Sequence, residues 1–251
     1  MPDLGLSSLE MAFAVAVILL AYFVFGVTGF GSAIVAVPLL THVLPLQEAV
    51  PQIVFLDLIT GFLMGQKNFN VIDKNELKWL MPFVLVGMVI GVTLLIRAPA
   101  EILLGVLAIF TLYSGVNGLR QATQFREVCG RWWGLVTGLI AGGFSALYGT
   151  GGPIYAIYLS RRIHSTAALR ATMSSIIFLN VIFRLITFSL AGLLLTPSNL
   201  WRTALFIPFA ILALTFGSKF QSKLNPKSFK QFFSAVLIFS ALTILPKVFI
   251  G

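Results

Sequence analysis

Asp57 and Arg184 are the residues of this chain whose chemistry departs most from their surroundings, because each lies within a run of apolar residues. Arg184 sits inside Phe178–Leu195, too deep to reach a water-facing surface by snorkelling, and Asp57 sits inside Val50–Gly65. A guanidinium offers a planar two-pronged donor fork that matches an oxyanion. A carboxylate nearby either holds that fork in place or takes up a coupling proton. The two charges can equally neutralise one another as an interhelical pair, and the two roles are compatible. Asn180 stands one helical turn before Arg184 and adds an amide to the same face.

The second kind of candidate is backbone. Phe25–Pro38 reads FGVTGFGSAIVAVP, with Gly26, Gly29 and Gly31 close together and Pro38 following, so this apolar run cannot be one straight helix. Tyr148–Pro153, YGTGGP, repeats the pattern in the second half of the chain. Where a helix restarts after such a break, its first amides carry partial positive charge that suits an anion. This puts Thr28, Gly29, Phe30, Gly31 and Ser32 at the first break, and Gly149, Thr150, Gly151, Gly152 and Tyr155 at the second, among the candidate substrate-binding residues. Gln52 and Ser175 occupy matching turns of two later segments and join them, with Asn180 and Arg184. Each has a plainer use: glycines allow tight turns or close helix packing, serines bond their own helix, and Tyr148, Tyr155 and Tyr158 serve as packing or interfacial anchors.

Such groups need a scaffold, and composition says which. The chain is 58 % hydrophobic and 10 % charged, too little polar surface to cover a soluble globule of 251 residues. Its mean hydropathy of +0.99 agrees. The runs Met11–Phe25, Phe83–Ile96 and Ala204–Phe216 are apolar on every face instead of alternating, so the spans are helices and not barrel strands. The net charge of +9 resides in short loops between apolar runs, which speaks for membrane topology and against a nucleic-acid partner. The lone Cys129 excludes a disulfide framework, and neither His42 nor His164 has a metal-ligand spacing, so no metal and no cofactor is expected. The acidic start MPDLGLSSLE lacks the basic region of a signal peptide, and no cleaved leader is expected.

Ten segments follow from the apolar runs and their breakers: 9–26, 31–45, 50–65, 79–96 and 101–119, then 132–148, 153–161, 169–190, 200–217 and 229–249. The second and seventh are too short to cross a hydrocarbon core of about 30 Å with ease. The halves repeat. Ile53–Ile59, IVFLDLI, recurs as Ile176–Ile182, IIFLNVI, which makes Asn180 the counterpart of Asp57. Pro82-Phe83 to Gly91 recurs as Pro208-Phe209 to Gly217, and Thr28-Gly29 as Thr150-Gly151. Lys and Arg mark four loops: Lys67, Lys74 and Lys78; Arg120, Arg126 and Arg131; Arg161, Arg162 and Arg170; and Lys219, Lys223, Lys227 and Lys230. With these loops cytoplasmic, each half makes one broken, re-entrant hairpin and three crossings, and the second half is inverted. The expected fold is therefore an all-α integral membrane protein of two inverted five-segment repeats, 1–122 and 123–251, forming one transport unit with both termini outside. Secondary transporters are built this way, with substrate held near the midplane between repeats.

The breaks GVTGFGSAIVAVPLL and YGTGGPIYAIYL, at the same place in two halves, resemble those of the TauE/SafE sulfite exporter family, also called the toluene sulfonate uptake permease family. The similarity covers essentially the whole chain. It implies transport of small sulfur-containing anions such as sulfite, sulfonates or sulfoacetate across the bacterial inner membrane, coupled to an ion gradient, with a proton as the candidate ion. Family members commonly carry a denser glycine cluster at the first break, where this chain has Phe30 and Ser32. After the second break, Tyr155 and Tyr158 replace a Pro-Leu pair. These departures admit a larger or aromatic sulfonate beside the rings of Phe30 and Tyr155.

The expectation is a secondary transporter working by alternating access, embedded in lipid, with a homodimer as one admissible assembly. An anion channel using the same breaks is the first alternative. A membrane-embedded enzyme is a weaker one, because no HExxH pattern and no nucleophile beside a base is present.

Overall fold

The computed structural model describes residues 6–29, 31–64, 71–119, 129–194, 197–220 and 226–250. These form α1 (Ser8–Thr28), α2 (Ser32–Leu40), α3 (Leu46–Met64), α4 (Lys74–Arg97), α5 (Ala100–Leu119), α6 (Trp133–Tyr148), α7 (Gly152–Arg162), α8 (Thr166–Leu190), α9 (Pro197–Phe220) and α10 (Pro226–Ile250). Each corresponds to one expected segment, and no strand occurs among the described residues. The boundary at 122/123 lies outside the described residues, as do Phe30, Lys67, Arg120, Arg126 and Lys223.

Helix starts follow local chemistry. Ser7 and Glu10 close a capping box on α1, Asp73 accepts from the amides of Asn75 and Glu76 at the start of α4, and Ser165 caps α8. The cap at Asp73 starts α4 five residues earlier than the apolar run alone suggests. Six helices, α1, α3, α4, α5, α8 and α9, have stretches long and apolar enough to cross a membrane. By contrast, α2 and α7 have 9 and 11 residues, about 14 and 16 Å of helix. Both short helices follow a glycine break.

Packing joins the halves instead of separating them. Three pairs dominate, α1 with α9, α4 with α6, and α5 with α10, each between a helix of the first half and one of the second. Exchanging the halves turns the first pair into the second and leaves the third unchanged. The paired crossings are close because glycine lies in them. A Cβ on Gly26 of α1 would meet Leu214 O at 2.5 Å and Gly217 Cα of α9 at 3.0 Å, and one on Gly91 of α4 would meet Gly143 O of α6 at 2.6 Å.

The sense of the helices follows from contacts at their ends. Glu48 in the first turn of α3 pairs with Arg202 near the start of α9, and Gln47 reaches toward Leu95 O near the end of α4. Lys247, near the end of α10, donates to Thr41 O just before α3 at 2.8 Å. One end of the molecule thus gathers residues 41–50, 95–101, 191–194 and 197–202. Hence α4 ends where α9 begins, and α10 ends where α5 begins, an arrangement consistent with an inverted repeat.

Candidate functional site

The first break builds the surroundings of Asp57. Gly29 ends α1 with φ 80° and Gly31 precedes α2 with φ 94°, a left-handed conformation costly for other residues. This reversal puts Ser32, the first residue of α2, against α3, where its Oγ donates to Asp57 Oδ1 at 2.6 Å. Tyr22 of α1 donates its hydroxyl to the same oxygen at 2.9 Å. The other carboxylate oxygen, Oδ2, lies 3.7 Å from Arg184 Nη1 of α8. Asp57 is only 8 % exposed, so its charge is offset by two hydroxyls and one cation instead of by water.

The second break builds the surroundings of Arg184. Gly149 ends α6 with φ 72°, and a Cβ there would meet Ala33 of α2 at 2.5 Å and the Arg184 Nη2 and Nη1 atoms at 3.1 and 3.2 Å. The two breaks therefore meet, with the guanidinium laid against the bare backbone of the second. The Phe188 ring, one turn further along α8, has its centroid 5.8 Å from the Arg184 carbon between the nitrogens. Arg184 is 2 % exposed, yet its Nε and Nη2 have no hydrogen-bond partner. Buried donors are almost always satisfied, so two open ones on one cation mark a place for an acceptor that the chain itself does not supply.

Three further open atoms belong to candidate residues, one of them Gln52 Oε1. Thr150, buried beside Gly149, has no partner for Oγ1. Asn180 donates Nδ2 to the Tyr155 hydroxyl at 2.5 Å and leaves Oδ1 open. Tyr155 packs against Gly151, whose missing side chain also admits Ser145 of α6 and lets α7 fold back against α6. Of the trio inferred from the repeat, Asp57 and Arg184 are brought together where α3 meets α8, and Asn180 stands one turn from Arg184, bonded to Tyr155.

The remaining candidates make other contacts. Gln52 Nε2 donates to Thr203 Oγ1 of α9 at 2.8 Å, toward the end where Glu48 pairs with Arg202. Thr28 bonds back to Val24 O and Ser175 to Ala171 O, each within its own helix. Gly152 is the first residue of α7. Phe30 is outside the described residues. Tyr22, Ser145 and Phe188 are neighbours of the site that sequence reasoning missed. For Tyr22 the available signal was a hydroxyl in an otherwise apolar helix.

A second polar cluster ties together three of the basic loops. Glu76 of α4, buried, accepts from Arg162 Nη2 at 2.8 Å and Nε at 3.1 Å, and from the Tyr158 hydroxyl at 2.8 Å. Arg131 lies 4.0 Å from the same carboxylate, stacks over Trp79 and donates to Asn75 O. Arg162 also donates to Cys129 O. The sequences around 74–79, 129–134 and 158–162 therefore share one end of the molecule, opposite the end that holds Glu48 and Arg202. At that opposite end His42, hydrogen-bonded to Thr243 at 3.1 Å, is held below the usual histidine range by burial first and Lys247 second.

No group of three or more His, Cys, Asp or Glu side chains arranged for a metal occurs among the described residues. No solved structure matches the chain. A curated relative, "Probable inner membrane transporter protein TsaS" of Comamonas testosteroni, is 21 % identical over 192 residues, covering 76 % of this chain and 80 % of that protein. A family model described as Sulfite exporter TauE/SafE matches residues 14–244, from within α1 to within α10. With nearly the whole helical body matched, this chain belongs to the sulfite exporter TauE/SafE family, a family of membrane transporters.

Proposed function

We propose that this chain is a secondary transporter of small sulfur oxyanions, of the sulfite, sulfonate or sulfoacetate type, seated in the bacterial inner membrane. The anion sits between the two breaks, on the open Nε and Nη2 donors of Arg184, with the Thr150 hydroxyl beside them. The observation that carries this reading is a guanidinium sealed from solvent with two donors unused, packed against the bare backbone of a glycine. The family name and the relative's description as an inner membrane transporter supply the direction toward sulfur anions and that membrane. Transport proceeds by alternating access between two inversely oriented repeats, 1–122 and 123–251. Convergence of three basic loops at one end supports a cytoplasmic location for that end and a periplasmic one for both termini.

The test is flux in liposomes containing the purified protein, with sulfite and toluenesulfonate as probes. Arg184→Gln should abolish flux of both while size-exclusion and thermal unfolding profiles stay those of a folded protein. Undiminished flux in this variant would sink the assignment of Arg184. Unitary currents in a planar bilayer would replace the transporter with a channel.

A further inference from the structure

We propose that Asp57 is the resident counter-anion of Arg184 and the carrier of a co-transported proton, so that the site loads one monovalent oxyanion together with one proton and discriminates against dianions. This rests on the anion site proposed above, narrows its substrates to monovalent sulfonates and hydrogen sulfite against the dianionic sulfite and sulfoacetate, and names the coupling ion.

The two oxygens of Asp57 have different duties. Oδ1 accepts from Ser32 at 2.6 Å and from Tyr22 at 2.9 Å, whereas Oδ2 faces Arg184 Nη1 at 3.7 Å and receives no hydrogen bond from it. Oδ2 is thus the oxygen free to take a proton. Its protonation forms one O–H bond at the expense of a hydronium on the side to which the site is open, and both hydroxyl donors can stay on Oδ1. No covalent bond of the anion changes.

Charge then decides what binds. With Asp57 ionised, the buried pair is neutral, and an arriving anion would leave uncompensated negative charge in a place sealed from water. With Asp57 protonated, Arg184 carries a net positive charge that a monovalent oxyanion neutralises. A dianion would still leave one negative charge. The two open donors of Arg184 and the Thr150 hydroxyl provide for a head group with three oxygens.

Other groups around Asp57 do not compete for the proton. From α1 it meets Tyr22, from α2 Ser32, and from α8 Arg184, with Asn180 one turn away and engaged by Tyr155 of α7. The α9 groups Arg202 and Thr203 are turned to Glu48 and Gln52. The remaining acids of α1, α3, α4 and α5, namely Glu10, Glu48, Glu76 and Glu101, lie in first turns.

The experiment uses the purified full chain in weakly buffered detergent solution. Methanesulfonate and toluenesulfonate are the monovalent probes; thiosulfate and sulfate are the divalent ones. A monovalent probe should bind with uptake of one proton per anion, and its affinity should fall roughly tenfold per pH unit on the alkaline side. The divalent probes should bind at least about tenfold more weakly, a margin of roughly one binding decade. Asp57→Asn should bind a monovalent probe with pH-independent affinity and without proton uptake. In liposomes that variant should exchange probe for probe yet fail to accumulate it under a proton gradient. Binding without proton uptake in the wild type, or thiosulfate binding as tightly as the sulfonates, overturns the inference while leaving the anion site standing. Failure of every probe to bind overturns the anion site itself, and this inference with it. If Asp57→Asn does not fold, proton uptake that persists in His42→Gln supports Asp57 as the carrier, and uptake lost in His42→Gln overturns the inference.

Discussion

Gly26→Ala should destabilise the protein, and the reason is a collision of main chains. The added Cβ would lie 2.5 Å from Leu214 O, 2.9 Å from Ser218 N and 3.0 Å from Gly217 Cα, all backbone of α9. None of these can rotate aside, so reaching an ordinary carbon–oxygen contact of about 3.3 Å requires α1 and α9 to part by about 0.8 Å. Overpacking of this kind costs about 1–3 kcal/mol, against which the better helix propensity of alanine returns about 1 kcal/mol. Gly61→Ala is the control, because its new Cβ would meet nothing within 4 Å, and it should gain up to about 1 kcal/mol. The two variants should differ by about 1–3 kcal/mol, or about 2–12 °C in Tm on the scale of soluble chains of this length. The assay is thermal unfolding of both proteins in one detergent. Gly26→Ala melting at or above Gly61→Ala would refute the close crossing of α1 and α9.

Two other outcomes follow from the polar groups at the ends. Glu76→Gln removes the anion that holds Arg162 and Arg131 and should lower stability by about 1–3 kcal/mol, measured as a shift of the denaturation midpoint in detergent. His42 is held below its ordinary value, so the folded state favours the neutral ring. Its contribution is complete above the unfolded-state value of about 6.5 and is lost as pH falls below it. The unfolding midpoint should therefore drop on acidification from pH 7 to 5.5, and His42→Gln should flatten that drop.

Much of the scaffold is written locally in the chain. Ten apolar runs interrupted by glycine, proline and basic loops become ten helices, because in lipid a backbone must satisfy itself within each span. The duplication IVFLDLI/IIFLNVI was legible as sequence and pointed to Asp57, Asn180 and Arg184 as one neighbourhood, of which the fold brings Asp57 and Arg184 together. What sequence could not convey is which helix faces which. Tyr22 looks no different along α1 from any tyrosine in an apolar helix; only the return of α2 and the approach of α3 turn it into a donor to Asp57. Gln52 shows the opposite case. Its place in the repeat suggested the central site, but α9 approaches that side of α3 with Thr203 and takes the amide for itself. Glu76 stands between Lys74 and Lys78 in the sequence, and its burial depends on Tyr158 and Arg162 arriving from more than eighty residues away.

The glycine crossings bear on how such a chain could have arisen and how it can be taken apart. Since α1 is clasped by α9, α6 by α4 and α5 by α10, neither half holds the partner for its own longest contacts. A half made alone would present its glycine-lined helix faces uncovered, and their natural complement is an identical half inserted with opposite orientation. The same logic makes the moving bodies of any transport cycle mosaics of both repeats. Chains ending and restarting between α5 and α6 should find one another in the membrane and rebuild the site, each half contributing one side: Asp57 and Ser32 from the first, Arg184 and Gly149 from the second.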